Sequence, residues 1–78
     1  MSDTPIKSLD LKGLLCPMPI IKVARAIKEV NVGDTLEAFA SDPGVMADFP
    51  AWCRSTGHEL VTLEKLDKQF RFVVRRSK

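Results

Sequence analysis

The sequence predicts an α/β (α+β) two-layer sandwich of order βαβαββ, in which a mixed four-stranded sheet is covered by two helices. Three observations predict it. Segments with alternating apolar residues fall at positions 6–11, 35–40, 59–65 and 69–76, the spacing of short half-buried strands. Helical signals separate the first three of them. The last two are joined only by Leu66-Asp67-Lys68, so they pair as an antiparallel hairpin, whereas a strand–helix–strand unit pairs in parallel.

The elements follow in order. Residues 6–11, Ile-Lys-Ser-Leu-Asp-Leu, form the first strand, and Gly13 breaks it. A helix is expected from Pro17 to about Val30. Ile20, Ala24 and Ile27 recur at i, i+4 and i+7, Val23 and Val30 widen the stripe, and Lys22, Arg25 and Glu29 fall on the other face. Asn31-Val32-Gly33-Asp34 supplies the stop. The second strand, Thr35 to Ala40, is apolar at Leu36, Ala38 and Ala40, with Phe39 opposite. Asp42 then reads as a helix cap and Pro43 as a first helical residue. Pro50 would break a continuous helix from there. One short turn is therefore expected after Pro43, and a fresh helix from about Phe49 or Pro50 to Thr56. Asp48 caps it and Gly57 follows as the C-terminal glycine. In the last strand Phe70, Phe72 and Val74 share one face, and Arg71, Val73 and Arg75 the other.

With 78 residues, the chain is expected to form one domain over positions 1–78 with a small core, burying about 60–65% of its unfolded surface. Its chemistry should therefore sit on the surface, where a partner completes the site. Apolar residues make up 45% and charged residues 28%, which disfavours disorder. A net charge of +2 is too weak to announce nucleic-acid binding, although from His58 onward six Lys/Arg face three Asp/Glu. The start, Met-Ser-Asp-Thr-Pro-Ile-Lys, lacks the pattern of a signal peptide, and no run reaches the length of a membrane span. A cytoplasmic protein is expected, with no metal site and no cofactor. Its two cysteines, Cys16 and Cys53, should be reduced thiols in neither a CxxC nor a zinc spacing.

The informative segment is Gly13-Leu14-Leu15-Cys16-Pro17-Met18-Pro19. Cys16 falls where the first helix begins, with Pro17 expected at its first position and Cys16 at its N-cap. A thiolate placed there is stabilised by the positive end of the helix dipole. Pro19 removes a further N–H, leaving Met18 and Ile20 as the donors of a stiff first turn. Cys16 is thus the candidate nucleophile, supported by Gly13, Pro17 and Pro19. Met18, Lys22 and Arg25 are candidate partner contacts. Set against this, a cysteine before a helix is often a small buried apolar residue. The two flanking prolines weigh for function, because a plain core residue needs no such rigid mount. Cys53 beside Trp52 is expected to face inward as a buried thiol. His58, the sole histidine, reads as a surface residue.

Leu11-Lys12-Gly13-Leu14-Leu15-Cys16-Pro17-Met18-Pro19 resembles the signature of the TusA/SirA-like sulfur carrier family, Cys-Pro-x-Pro after a Gly-Leu-x segment. The resemblance extends through Gly33-Asp34-Thr35-Leu36, Ser41-Asp42-Pro43, Asp48-Phe49-Pro50-Ala51-Trp52-Cys53 and Gly57-His58-Glu59-Leu60. It implies a βαβαββ two-layer fold. It further implies that Cys16 accepts sulfane sulfur as a persulfide from a cysteine desulfurase or rhodanese-like donor and relays it to an acceptor protein. Routes of this kind in the family include tRNA thiolation, cofactor assembly and sulfur oxidation. Such a protein is a stoichiometric relay rather than an independent enzyme, and is expected as a monomer.

Two other classes compete. A regulatory or nucleic-acid-binding module would use Arg71, Arg75, Arg76 and Lys78, but Phe70 and Phe72 alternate to the opposite face, so no stacking platform accompanies them. A thiol enzyme would need a second motif cysteine or a nearby base, and the sequence shows neither.

Overall fold

The structure, a computed structural model, describes residues 5–15 and 17–78. Strand β1 spans Lys7–Leu11, helix α1 Met18–Ala26, β2 Thr35–Ala40, helix α2 Val45–Thr56, β3 Glu59–Lys65 and β4 Phe70–Arg75. The expected order and the mixed four-stranded sheet are both present. Strand order is β1-β2-β4-β3. β1 and β2 pair in parallel, and β4 is antiparallel to both β2 and β3. The last strand therefore inserts between the second and third, and its apolar face lies at the centre of the sheet.

That face carries the core. Phe72 and Val74 are fully buried and Phe70 nearly so, as the alternation predicts. From β2, Leu36, Ala38 and Ala40 point the same way and are 1% exposed or less. The helices close over them through Val23, Ile27, Val45 and Phe49, all within one hydrophobic cluster. Phe49 of α2 stacks on Phe72 with ring centroids 3.8 Å apart. Val73 is also buried, at 3%, although it lies on the other face with Arg71 and Arg75. On that face Arg71 sits between Glu37 and Glu64, with nitrogen–oxygen distances of 2.5 and 2.9 Å, and Arg75 meets Glu59 at 3.0 Å. These cross-strand pairs tie three strands together on that face.

Both helices differ from the sequence expectation. Helix α1 ends at Ala26, and a single tighter turn continues through Ile27–Glu29. Its buried stripe is Pro19, Val23, Ala26 and Ile27, so Ile20 and Ala24 are rotated to the flank and only partly buried. The turn is closed from a distance: the Arg76 guanidinium donates to the carbonyls of Val30 at 2.7 Å and Lys28 at 3.3 Å. Helix α2 runs without a break from Val45, with Pro50 inside it. Two expectations are corrected here, the interruption at Pro50 and the cap at Asp48. A proline inside a helix costs about 3 kcal/mol. Against that, the unbroken helix puts Val45, Phe49 and Cys53 on one stripe at i, i+4 and i+8, all buried. Burying a residue such as Val or Phe contributes about 1.5–3 kcal/mol, so the stripe outweighs the proline. Gly57 closes α2 as expected, in the left-handed conformation (φ 84°), with its N–H on the Cys53 carbonyl at 2.8 Å.

The chain after β4 is strapped to the same end of the sheet. Arg76 exchanges backbone hydrogen bonds with Gly33 and Asp34, and the Ser77 N–H donates to Nδ1 of His58 at 3.2 Å. Burial, then Arg76 and Lys78, hold His58 below the ordinary histidine value. The unfolded chain therefore binds a proton at His58 before the folded one does. The stability that depends on neutral His58 is present above about pH 6.5 and is lost as pH falls from there through the lowered folded value. Replacing His58→Gln should flatten the dependence of the melting temperature on pH between about 7 and 5. Thermal melts of both proteins across that range test this, and identical slopes would refute it.

Candidate functional site

The site grows from the two turns that leave the C-terminal ends of the parallel strands. After β1, the Asp10 carboxylate accepts the backbone N–H of Lys12 at 3.1 Å and lies 3.3 Å from the Lys12 ammonium. Those bonds, first the one from the backbone, hold the Asp10 carboxyl below its usual range. The Lys12 ammonium also stands 5.9 Å from the centre of the Phe39 ring, near the limit for a cation–π contact. Leu14 N–H returns to the Leu11 carbonyl at 3.2 Å. Between them Gly13 has φ 87°. A Cβ there would meet no atom within 4 Å, so glycine is required by backbone conformation rather than by space. Gly13 thus permits the tight turn that leaves β1.

After β2, Ser41 reaches across: its Oγ accepts the Gly13 N–H at 2.9 Å. The next residue, Asp42, accepts the Gly44 N–H on Oδ1 at 3.3 Å. The Asp42 carbonyl takes the Val45 N–H. Asp42 thus shapes the turn before α2 rather than serving as its N-cap, which is Gly44, and Pro43 precedes the helix. Asp42 and Pro43 stand out in the sequence as helix signals, whereas Ser41 enters only as part of the Ser41-Asp42-Pro43 segment of the resemblance. Its only local signal is a short hydroxyl side chain directly after a strand, and its partner lies 28 residues away.

Cys16, the candidate nucleophile, lies outside the described residues. Its surroundings on either side are described. Leu15 is 73% exposed, and its carbonyl accepts the Met18 N–H at 2.9 Å. The Pro17 carbonyl accepts the Ile21 N–H at 3.2 Å. Pro17 is therefore the N-cap of α1, not its first helical residue. The helix has Met18 first and the fully buried Pro19 second. The expected Met18 donor is already taken by Leu15, so the first turn offers fewer free N–H groups than the sequence suggests. Pro19 packs into the core and pins the turn, while Pro17 and Met18 face outward. Ile21, Lys22 and Arg25 are exposed as well, and the first turn of α1 contains no acidic residue. The motif is thus flanked by an apolar and basic surface.

Cys53 is the opposite case. It is 4% exposed, a free thiol in the core, and burial pushes it up to about 11. A shallow open depression of about 320 Å³ lies beside Lys12, lined also by Asp67, Lys68 and Gln69. Among the described residues, no three His, Cys, Asp or Glu side chains converge as metal ligands. Among the same residues, no helix is long and apolar enough to cross a membrane.

Comparison with known proteins places the chain in a family. The model of the sulfurtransferase TusA family matches residues 7–76, and the chain belongs to that family. The putative sulfur carrier protein YrkF of Bacillus subtilis is 44% identical over 68 residues, which are 87% of this chain and 37% of that protein. A putative sulfur carrier protein of Neisseria meningitidis serogroup A is 41% identical over 68 residues, covering 87% of this chain and 92% of its own length. The sulfur carrier protein TusA of Allochromatium vinosum is 34% identical over 71 residues, 91% of this chain and 93% of that one. In fold, the crystal structure of a SirA-like protein from Desulfitobacterium hafniense matches with a TM-score of 0.79 at 18% identity, over 94% of this chain and all of the other.

Proposed function

We propose that this chain is a sulfur carrier whose Cys16 holds sulfur as a persulfide. The observation that carries the reading is the Cys16-Pro17-Met18-Pro19 motif in a chain matched to the family from residue 7 to residue 76. The relatives from Bacillus, Neisseria and Allochromatium are all named as sulfur carriers. In the loading step the Cys16 thiolate attacks the outer sulfur of a persulfide on a donor protein, a cysteine desulfurase or a rhodanese-like protein. The donor's sulfur–sulfur bond breaks, a new one forms on Cys16, and the donor cysteine leaves as a thiolate. Delivery repeats the exchange with an acceptor protein. No net oxidation occurs, and the chain has no turnover of its own.

The surface beside the motif suits brief docking. Leu15, Met18 and Ile21 offer exposed apolar contacts, and Lys22 and Arg25 would steer a partner with an acidic rim. Pro19, held in the core, keeps the direction of the turn constant between donor and acceptor. The reading is completed by a single domain over positions 1–78, acting as a monomer in the cytoplasm, with tRNA thiolation, cofactor assembly or sulfur oxidation downstream. The alternative, nucleic-acid binding by the basic last strand, loses support from the ion pairs. Arg71 and Arg75 face Glu37, Glu64 and Glu59, and Arg76 is turned onto backbone carbonyls.

Mass spectrometry tests the proposal. After incubation with a cysteine desulfurase and cysteine, or with inorganic polysulfide, the intact protein should gain one sulfur atom that a reductant removes. A protein that gains none from either donor is not a carrier.

A further inference from the structure

We propose that Ser41 is a positioning residue for sulfur transfer, holding the peptide that leads into Cys16 through its hydrogen bond to Gly13. The inference rests on the carrier reading and adds a residue to it. Its basis is the way the turn after β1 is held. Two of its anchors are local, the Asp10 carboxylate on Lys12 N–H and the Leu11 carbonyl on Leu14 N–H. Local bonds shape a turn but do not orient it against the rest of the molecule. The bond from Gly13 N–H to Ser41 Oγ, at 2.9 Å, comes from a different element 28 residues away. It fastens the turn to the end of β2, whose last residue, Ala40, is fully buried in the sheet.

Gly13 makes this anchor matter. At φ 87° it is the residue of the turn with the widest conformational freedom. It stands three residues before Cys16 in sequence. On the far side Pro19 is fixed in the core, so Ser41 and Pro19 hold the two ends of the segment that contains Cys16. Transfer between two proteins needs the attacking and leaving sulfurs in line, and small misplacements of reacting groups slow such steps by large factors. A small reagent in solution meets the thiol from any accessible direction and is far less sensitive to its aim.

The test separates the two. Loading of Cys16 is timed in a Cys53→Ala background from two donors, a purified cysteine desulfurase supplied with cysteine, and inorganic polysulfide. In the second reaction the thiolate takes one sulfur and leaves the polysulfide one atom shorter. Ser41→Ala should slow loading from the desulfurase roughly three- to tenfold, the range a misaligned transfer permits. Loading from polysulfide should stay within about twofold. Ser41→Thr, which keeps the hydroxyl, should restore the desulfurase rate. Amide exchange at Gly13 should quicken in Ser41→Ala only. A desulfurase rate unchanged in Ser41→Ala overturns the proposal, as does an equal loss with both donors, which would report general damage to the fold. Ser41→Thr as slow as Ser41→Ala also overturns it. Failure of the parent protein to load from either donor defeats the carrier reading itself, and Ser41's role with it.

Discussion

Cys16→Ser will abolish persulfide loading, and Cys53→Ser will load as the parent does. The asymmetry follows from the state of the second thiol. Thiolate, not thiol, is the nucleophile. Cys53 is buried to 4% exposure in α2 and pushed up to about 11, so near pH 7.5 roughly one molecule in a few thousand presents it as an anion. A donor persulfide carried on another protein also has no path to it without opening the core. Cys16 sits in sequence between Leu15, which is largely exposed, and the Pro17 cap of α1. A serine in place of Cys53 puts a hydroxyl in an apolar setting and costs stability on the order of 1–3 kcal/mol, so Cys53→Ala serves as the second variant. Loading is read as a mass increase on each folded protein. A folded Cys53→Ala variant that fails to load, or a Cys16→Ser variant that still gains sulfur, defeats the single-thiol mechanism.

Phe72→Ala will be the most damaging substitution in the core. Phe72 is fully buried at the centre of the sheet, with Ala38 and Leu63 as its cross-strand neighbours, and its ring stacks on Phe49 of α2. Truncating a buried phenylalanine costs about 3–5 kcal/mol, because the lost transfer energy adds to an unfilled cavity. A chain of this length has a total stability of about 4–12 kcal/mol. The variant therefore loses at least a quarter of that reserve and, at the low end, all of it. The two alanines on β2 cannot fill the space left behind. Phe72→Leu should cost less than about 2 kcal/mol, since it keeps much of the volume. Urea unfolding followed by circular dichroism measures both. A Phe72→Ala midpoint close to wild type, with an unchanged slope, would mean that the Phe49–Phe72 stack does not hold α2 to the sheet.

The candidate thiol is legible in the sequence because the chemistry and the constraint lie next to each other in the chain. A cysteine between a glycine turn and two prolines is a local pattern. The helix start is not legible to the residue. Pro17 caps the helix rather than opening it, and helix starts are set by hydrogen bonds that composition does not show. The face presented by α1 is also offset from its aliphatic pattern, because the buried stripe runs through Pro19 rather than Ile20. Proline stiffens the backbone, but its ring is also an apolar side chain, and here the core takes it up.

What the sequence determined by itself was the set of elements and the faces of the strands. Alternation with period two is written residue by residue in Leu36, Ala38 and Ala40, and in Phe70, Phe72 and Val74. Gly57 marked the end of α2 through its own conformational freedom. What only the tertiary structure decided were the interactions between residues far apart in the chain. Strand order placed β4 between β2 and β3, since any of several orders satisfies the same alternation. Pro50 remained inside α2 because a sheet face was there to receive Val45, Phe49 and Cys53 together, and that gain exceeds the cost of a missing hydrogen bond. Arg76 closes the turn after α1 from 46 residues away, and Ser41 holds Gly13 across 28. A hydrogen bond between such distant residues depends on where the folded backbone brings them, and no local propensity encodes that distance.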